Sequence, residues 1–569
     1  MTSRGLDPAR LVPGRDLVLD IAPGQGLDVP EGVLVEDHLD TAVRAEIHRC
    51  GLPAIARCRE ALDAALTVDG LCLPWLWELP LERALVATIE RAEALRRAVE
   101  RYGVRELVLV GPDERTRLVA AAVAAWSARA GTGRRPHVTE ESAPGDPASG
   151  ATRPTIASAR RRVMQAARAL GIPTRLRPGC VLFVSYWPLL ALLDRMLADP
   201  GRRPAVLSQR LPADPRRSAR AAMRGGWVGS AGPIERRRAR RAATAALRRA
   251  SAATAPQLRA FGLDLGEAAR AEVLAIARER ATGDLAMAAT LRRAFAGARP
   301  AAVLSAWDVE PLARLVTVAA QAAGIRTIAL AHGAFLLPQT LVDLDLCDEV
   351  LLWSEAVAPP ITDRDRPIHV VGYPEPRAAA PPTRPAPPDR APRVLVLAQP
   401  TLPGMGLTSP RIAMRHYATA VDALLAWRPE TRIVLRPHPS AGLDAEHALI
   451  ARHPGTHLQI DRASTILDAL AACDLCIGTI TTATLQAALV GTPVVALNSM
   501  GFEWAWPLGG ETTVPVACDR DELTACLERY DRAPLPGRDD LLAALGADPA
   551  GDDPTGRMLT ILDRSPAAA

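Results

Sequence analysis

Between residues 393 and 497, short β-branched and apolar runs alternate with longer amphipathic stretches, and no other pattern in the chain restricts its fold so tightly. "RVLVLAQP", "TRIVLRPHP", "HLQI", "LCIGTI" and "PVVALN" have the length and content of buried strands. Between them, "PRIAMRHYATAVDALLAW", "LDAEHALIARH", "STILDALAACD" and "ATLQAALVG" repeat apolar residues at helical spacing, with Ser464 placed to cap the third. Strands joined through helices run parallel, and their continuous apolar character implies a sheet covered on both faces. A similar series lies upstream in "RELVLVGP", "CVLFVSYWP" (180–188), "PAAVLSAWD" (300–308), "RTIALAHG", "DEVLLWSE" and "PIHVVGYP". The two series are separated by "PRAAAPPTRPAPPDRAP" (376–392), whose prolines bar both helix and central strand. The expectation is an α/β chain with two doubly wound parallel-sheet domains, 1–375 and 393–569, joined by that linker. Within the first domain, residues 137–156 read as a polar, flexible connector, and residues 216–249 as an Arg-rich helical segment.

Composition removes several chemistries. The 569-residue chain contains no lysine, so neither a lysine Schiff base nor a P-loop lysine is available. Any phosphate site must use Arg, His, hydroxyls and backbone N–H groups. A formal net charge of +5 over this length does not argue for nucleic acid. "MTSRGLDPAR" has no apolar signal region, and no apolar run is long enough to span a bilayer, so a cytoplasmic protein is expected. The nine scattered cysteines fit a reducing compartment. Cys473 and Cys476 form a CxxC without a second Cys/His pair nearby, which argues against a metal site. The arginines of 216–249 are either a solvated face or a contact for anionic lipid.

Ligands of doubly wound sheets bind beyond the C-terminal ends of the strands. "RIVLRPHP" ends there in Arg436, Pro437, His438 and Pro439, and the two prolines stiffen the loop that carries the imidazole. "IGTITTATLQ" places Gly478 and Thr479, Thr481, Thr482 and Thr484 between a strand and a helix start. Free N–H groups and the macrodipole favour an anion at such a start. One N-cap accounts for one threonine, not four. In the first half, Asp308 and Glu310 follow one strand end, and His332 with Gly333 follows the next. Asp308 is either a cap of the helix that starts at Pro311 or a general base, and His332 either a turn residue or part of a site.

The order of an HG strand end, "VVGYP", a hinge, "RPHP" and "DLCIGTITTATLQAALVGTPVV" resembles the GT-B glycosyltransferases of bacterial surface-carbohydrate assembly. The pattern is similar to capsule Kdo transferases, bacterial polysialyltransferases and CDP-glycerol glycerophosphotransferases. The resemblance covers roughly residues 300–500. It implies a GT-B fold and an inverting transfer of a sugar or polyol phosphate from a nucleotide-activated donor, CMP- or CDP-linked, to a glycan or lipid-linked acceptor. His438 and Pro439 match the family's HP motif, and Thr481 and Thr482 its Ser/Thr pair. Arg436 and Gly478 would complete the donor side. Asp308, Glu310 or His332 would supply the base on the acceptor side. Gln486 stands where many GT-B enzymes place a ribose-binding Glu, which leaves the nucleotide open. No cofactor is expected beyond the donor substrate, and no metal, because no Asp-x-Asp lies near the two loops. A nucleotide-sugar 2-epimerase and a non-catalytic GT-B scaffold that binds a glycan or a partner remain as alternatives.

Overall fold

The computed structural model describes residues 39, 41–104, 106–110, 114–130, 136–141, 174–184, 189–207, 215–306, 310–331, 346–354, 366–372, 389–397, 410–438, 443–479, 482–499, 514–536, 540, 543 and 553–564. The chain enters through helix Thr41–Leu66 and a hairpin of β1 (Thr67–Val68) and β2 (Leu71–Cys72). Helix Glu78–Tyr102 follows and ends at Gly103, whose φ of 59° is the left-handed turn that a glycine adopts without strain. A parallel pair, β3 (Glu106–Val110) and β4 (His137–Glu141), brackets helix Glu114–Arg129. Here the structure corrects the expected connector. Residues 137–141 are a strand, because pairing with β3 supplies backbone partners that the local polar composition does not announce. The rest of that connector, 142–156, lies outside the described residues.

The first large sheet is built from β5 (Arg175–Leu176), β6 (Val181–Phe183), β7 (Pro204–Leu207) and β8 (Gly226–Val228), with the hairpin β9 (Arg259–Ala260) and β10 (Leu263–Asp264) standing apart. It continues with β11 (Ala302–Ser305), β12 (Arg326–Leu330), β13 (Glu349–Leu352) and β14 (Ile368–Val370). Its order is β14-β13-β12-β11-β6-β7-β8-β5, parallel except at the β5–β8 edge. The chain works outward from β6 to β8, then returns to β6's other side with β11. The strand order therefore reverses between β6 and β11.

The second sheet contains β15 (Arg393–Leu397), β16 (Arg432–Arg436), β17 (Leu458–Ile460), β18 (Leu475–Gly478), β19 (Val494–Leu497) and β20 (Val516–Ala517). All its pairings are parallel, in the order β17-β16-β15-β18-β19-β20. This is the doubly wound 3-2-1-4-5-6 arrangement, with the reversal between β15 and β18. Alternate residues bury on opposite faces. Val394, Val396, Ile433, Leu435 and Ile477 pack towards helices Pro410–Trp427 and Arg520–Arg532. Leu395, Leu397, Val434 and Cys476 pack towards helices Ile466–Ala471 and Thr482–Leu489. Burial on both faces explains why these strands read as unbroken apolar runs.

The end of the chain returns to the first sheet. Helix Pro554–Asp563 buries Met558 and Ile561. Arg557 donates to the Val371 carbonyl at 2.7 Å, and Arg326 to that of Ile561 at 3.0 Å. Arg202 forks onto Asp563 with both distances at 2.6 Å, and Arg195 pairs with Asp553 at 2.6 Å. Residues 373–388, nearly all of the Pro-rich linker, lie outside the described residues.

Candidate functional site

The reversal between β15 and β18 opens a crevice at the C-terminal ends of the strands. Arg436, Leu397 and Gly478 stand side by side on β16, β15 and β18. Because β16 and β18 flank one strand, the loops that leave them start two strand spacings, about 10 Å, apart. His438 lies two residues beyond β16, and Thr479 directly after β18. The structure thus sets the histidine loop and the threonine-rich helix start on either side of one switch point.

His438 is exposed at this end. The protein around its ring excludes part of its water and lowers its pKa below the usual imidazole value. Gly478 is a packing necessity, since a Cβ there would collide with the Thr484 hydroxyl, which donates to the Thr479 carbonyl. Thr479 is buried, and its Oγ1 has no hydrogen-bond partner among the described residues. An enclosed hydroxyl without a partner is costly, and this one stands at the N-terminus of helix Thr482–Leu489. Pro439 and Thr481 lie outside the described residues, as does the Thr482 side chain, although Thr482 opens the helix. Gln486 is enclosed at 2 % exposure, so its amide faces protein.

Arg436 is already engaged. Its Nη1 donates to Asp461 Oδ2 and Ser464 Oγ, both at 3.0 Å, and its Nη2 to the Ser464 carbonyl at 2.8 Å. Burial opposes ionisation of Asp461, but hydrogen bonds from Ser464 and Ala463, together with the Arg436 charge, hold its carboxyl below the usual range. The guanidinium therefore ties the β16 end to the 461–464 turn, and a contact with phosphate would require this network to open. Thr465, not Ser464, caps helix Ile466–Ala471, accepting from the Asp468 amide at 3.1 Å, because Ser464 is held by Asp461 and Arg436. Asp474, the residue before β18, accepts from the Arg393 amide at 2.8 Å and pairs with Arg390. It fixes the beginning of β15.

His416 escaped notice in the sequence, where it sits mid-helix. It is 2 % exposed, with Nδ1 3.1 Å from Ser499 Oγ and Nε2 3.3 Å from the Leu397 carbonyl. It thereby links the last residue of β15 to a residue just beyond β19. Burial lowers its pKa from 6.5 to about 4, so the ring is neutral. The Cys473 and Cys476 thiols are both buried, and burial pushes Cys473 up to about 12. Neither offers a ready thiolate.

On the first sheet, β11 and β12 are parallel neighbours, with Ser305 beside Ala329. Asp308 and His332, which follow these strands, lie outside the described residues. Glu310 occupies the N-cap position of helix Pro311–Ala322, yet its side chain makes no capping bond. It lines a cavity of about 460 Å³ together with Arg83, Arg91, Arg115, Glu272 and Arg280. Glu78, a carboxylate close to this region in sequence, is committed to a buried pair with Arg314 at 2.6 Å and to Arg59.

Compared with known proteins, the sequence matches no family model and no curated protein. Among solved structures, MurG of Acinetobacter baumannii aligns over 68% of this chain and 99% of its own, at 13% identity and a TM-score of 0.37. The UDP-GlcNAc 2-epimerase of Neisseria meningitidis, bound to UDP-GlcNAc, aligns over 68% and 99% at 9% identity and a TM-score of 0.38. Sucrose-phosphate synthase of Thermosynechococcus elongatus aligns over 68% and 98% at 13% identity and a TM-score of 0.37. Scores of this size place the chain in no family, and its fold is defined by its own strand order: α/β, with two doubly wound, largely parallel sheets.

Proposed function

We propose that the protein is a GT-B-like, inverting glycosyltransferase that moves a sugar, or a polyol phosphate, from a CMP- or CDP-linked donor to a glycan or lipid-linked acceptor of bacterial surface polysaccharide. The observation that carries this reading is the pair of loops at the β15/β18 switch point. A histidine loop and a helix start, with a threonine hydroxyl that has no partner among the described residues, follow strand ends about 10 Å apart, where a nucleotide's phosphates would lie. The helix N-terminus and His438 would stabilise the departing phosphate as the bond between the anomeric carbon and the phosphate oxygen breaks. The acceptor hydroxyl would attack that carbon from the opposite side and yield its proton to Asp308, His332 or Glu310. The donor-side helix dipole supplies the electrostatic role often taken by a cation, so no metal is invoked.

An anionic membrane surface is the companion proposal for the Arg-rich segment. No helix among the described residues is long and apolar enough to cross a membrane. Helix Pro233–Ala252 buries Ala239, Ala243, Ala246 and Ala250 and turns Arg237, Arg238, Arg240 and Arg241 outward. Ile234 and Met223 are exposed nearby in sequence, at 67 % and 66 %. In contrast, Arg217 is held by Asp194 and Arg220 by the Leu197 carbonyl. Co-sedimentation with phosphatidylglycerol vesicles should fall steeply with salt, and absence of binding at low salt would remove this contact from the account.

The transferase reading is tested by thermal shift with CMP, CDP, UDP and GDP, followed by transfer assays with the stabilising nucleotide's sugar conjugates. A ligand that binds only the native state raises its stability. Stabilisation by a cytidine nucleotide and donor turnover are expected. Epimerised donor without transfer would replace this reading with an epimerase.

A further inference from the structure

The cavity beside Glu310 has more basic than acidic side chains in its described lining. Arg83 and Arg91 lie on one face of helix Glu78–Tyr102, two turns apart, and Arg280 and Glu272 come from helix Gly266–Gly297. Arg115 enters from the first turn of helix Glu114–Arg129. Among the described residues, four guanidinium groups and two carboxylates therefore line about 460 Å³. Within the lining, Arg115 pairs with Glu272 at 3.1 Å, and Arg280 approaches Asp284 at 3.7 Å. The Nε atoms of Arg83 and Arg280 are enclosed and have no hydrogen-bond partner among the described residues. Burial lowers the Arg83 pKa against the opposing pull of Glu82 and Glu310, so its charge is held at a cost that an anion would offset. Burial and the nearby Glu78 charge raise Glu82 to about 7, which weakens the nearest source of compensation.

The cleft's position matters as much as its charge. Glu310 is five residues past Ser305, the last residue of β11, and β11 flanks the strand-order reversal of the first sheet. Ligand sites of doubly wound sheets form there. Guanidinium forks match phosphate oxygens two at a time, and a volume of several hundred Å³ suits a phosphate-bearing sugar. We infer that this arginine-lined cleft binds the phosphate or diphosphate group of the acceptor, as a second anion site separate from the donor loops at His438 and Thr479. Naming that ligand as the acceptor rests on the transferase reading, whereas the anion site itself does not. Glu310 would then lie between the bound phosphate and the sugar to be extended.

Isothermal titration of the full chain with inorganic pyrophosphate, in the presence of saturating nucleotide, tests the site. The parent should bind pyrophosphate, and Arg83→Gln and Arg91→Gln should each weaken it at least tenfold, with His438→Ala unchanged. Unaltered melting of each variant establishes that it is folded, and Arg91→Lys should recover part of the affinity. If both Gln variants bind within twofold of the parent, or if His438→Ala alone abolishes binding, the cleft is not the anion site. Farnesyl diphosphate and glucose 1-phosphate identify the source. Arg83-dependent preference for the first assigns a lipid-linked acceptor, for the second a soluble sugar phosphate, and binding of either that is indifferent to Arg83 contradicts the proposal. Failure of the donor reading looks different: nucleotide would not bind, while Arg83-dependent pyrophosphate binding would persist.

Discussion

His438 has its imidazole pKa lowered by partial exclusion of water, so at neutral pH it would meet the proposed phosphate largely uncharged. A bound phosphate favours the imidazolium and raises that pKa, so binding takes up a proton. Nucleotide affinity should therefore rise as pH falls from 7.5 towards 5.5. His438→Gln should flatten the profile, as measured by titration calorimetry in buffers of different ionisation enthalpy. An equal slope in both proteins would mean that the histidine does not face the phosphate. His416 makes the opposite kind of prediction. Its folded pKa, about 4, lies below the unfolded value of 6.5, so between these pH values the unfolded chain binds the extra proton. Stability from this residue is complete above pH 6.5 and is lost as pH falls towards 4, by about 3 kcal/mol at 1.36 kcal/mol per pKa unit. Thermal melts at pH 7.0, 5.5 and 4.5 should show a steeper decline for the parent than for His416→Gln, and parallel declines would contradict the assignment. These two histidines also mark the limits of sequence reading. Prolines on both sides advertise His438, whereas His416 acquires its role only when its helix packs over the ends of β15 and β19.

At the scale of elements, the buried Glu78–Arg314 pair joins the start of helix Glu78–Tyr102 to helix Pro311–Ala322. Arg314 also donates to the Trp75 carbonyl at 2.7 Å and stacks over the Trp75 ring at 4.7 Å. Removing one partner leaves a buried charge uncompensated, so Glu78→Ala should cost about 3–5 kcal/mol in urea unfolding. Glu78→Leu with Arg314→Met should recover part of that loss, and a single-variant cost below about 1 kcal/mol would show that water reaches the pair. The loop after β11 carries the chemical prediction. Asp308→Asn or Glu310→Gln should lower turnover by about 10²–10⁴ if the altered group is the base, with nucleotide affinity unchanged. Near-parent turnover in both variants would move the base to His332. Strand and helix identities along β11–β19 were legible because their apolar periodicity is local. The short strands β5 and β8, and the strand β4 within a polar stretch, were not, because their partners are distant in sequence. Arg83, Arg91 and Arg280 carry no local sequence signal, and only the packing of two helices brings them around one cavity.

Across the whole molecule, each large sheet has a strand-order reversal, β6/β11 in the first and β15/β18 in the second, and the candidate residues follow the strands at those reversals or the strands next to them. The alternation of apolar runs was sufficient to anticipate two parallel sheets. It could not anticipate that helix Pro554–Asp563 returns to the first sheet, because its anchors, Arg195, Arg202 and Arg326, are more than two hundred residues away. The proposed function requires the β15/β18 crevice to hold the phosphates of a nucleotide-linked donor. Its most direct test is calorimetric titration of CDP into the parent chain and into His438→Ala, with equal melting temperatures verified beforehand. Saturable one-to-one binding to the parent, weakened at least tenfold in the variant, is expected. Absence of binding to the parent, or equal affinity in the two proteins, would contradict it.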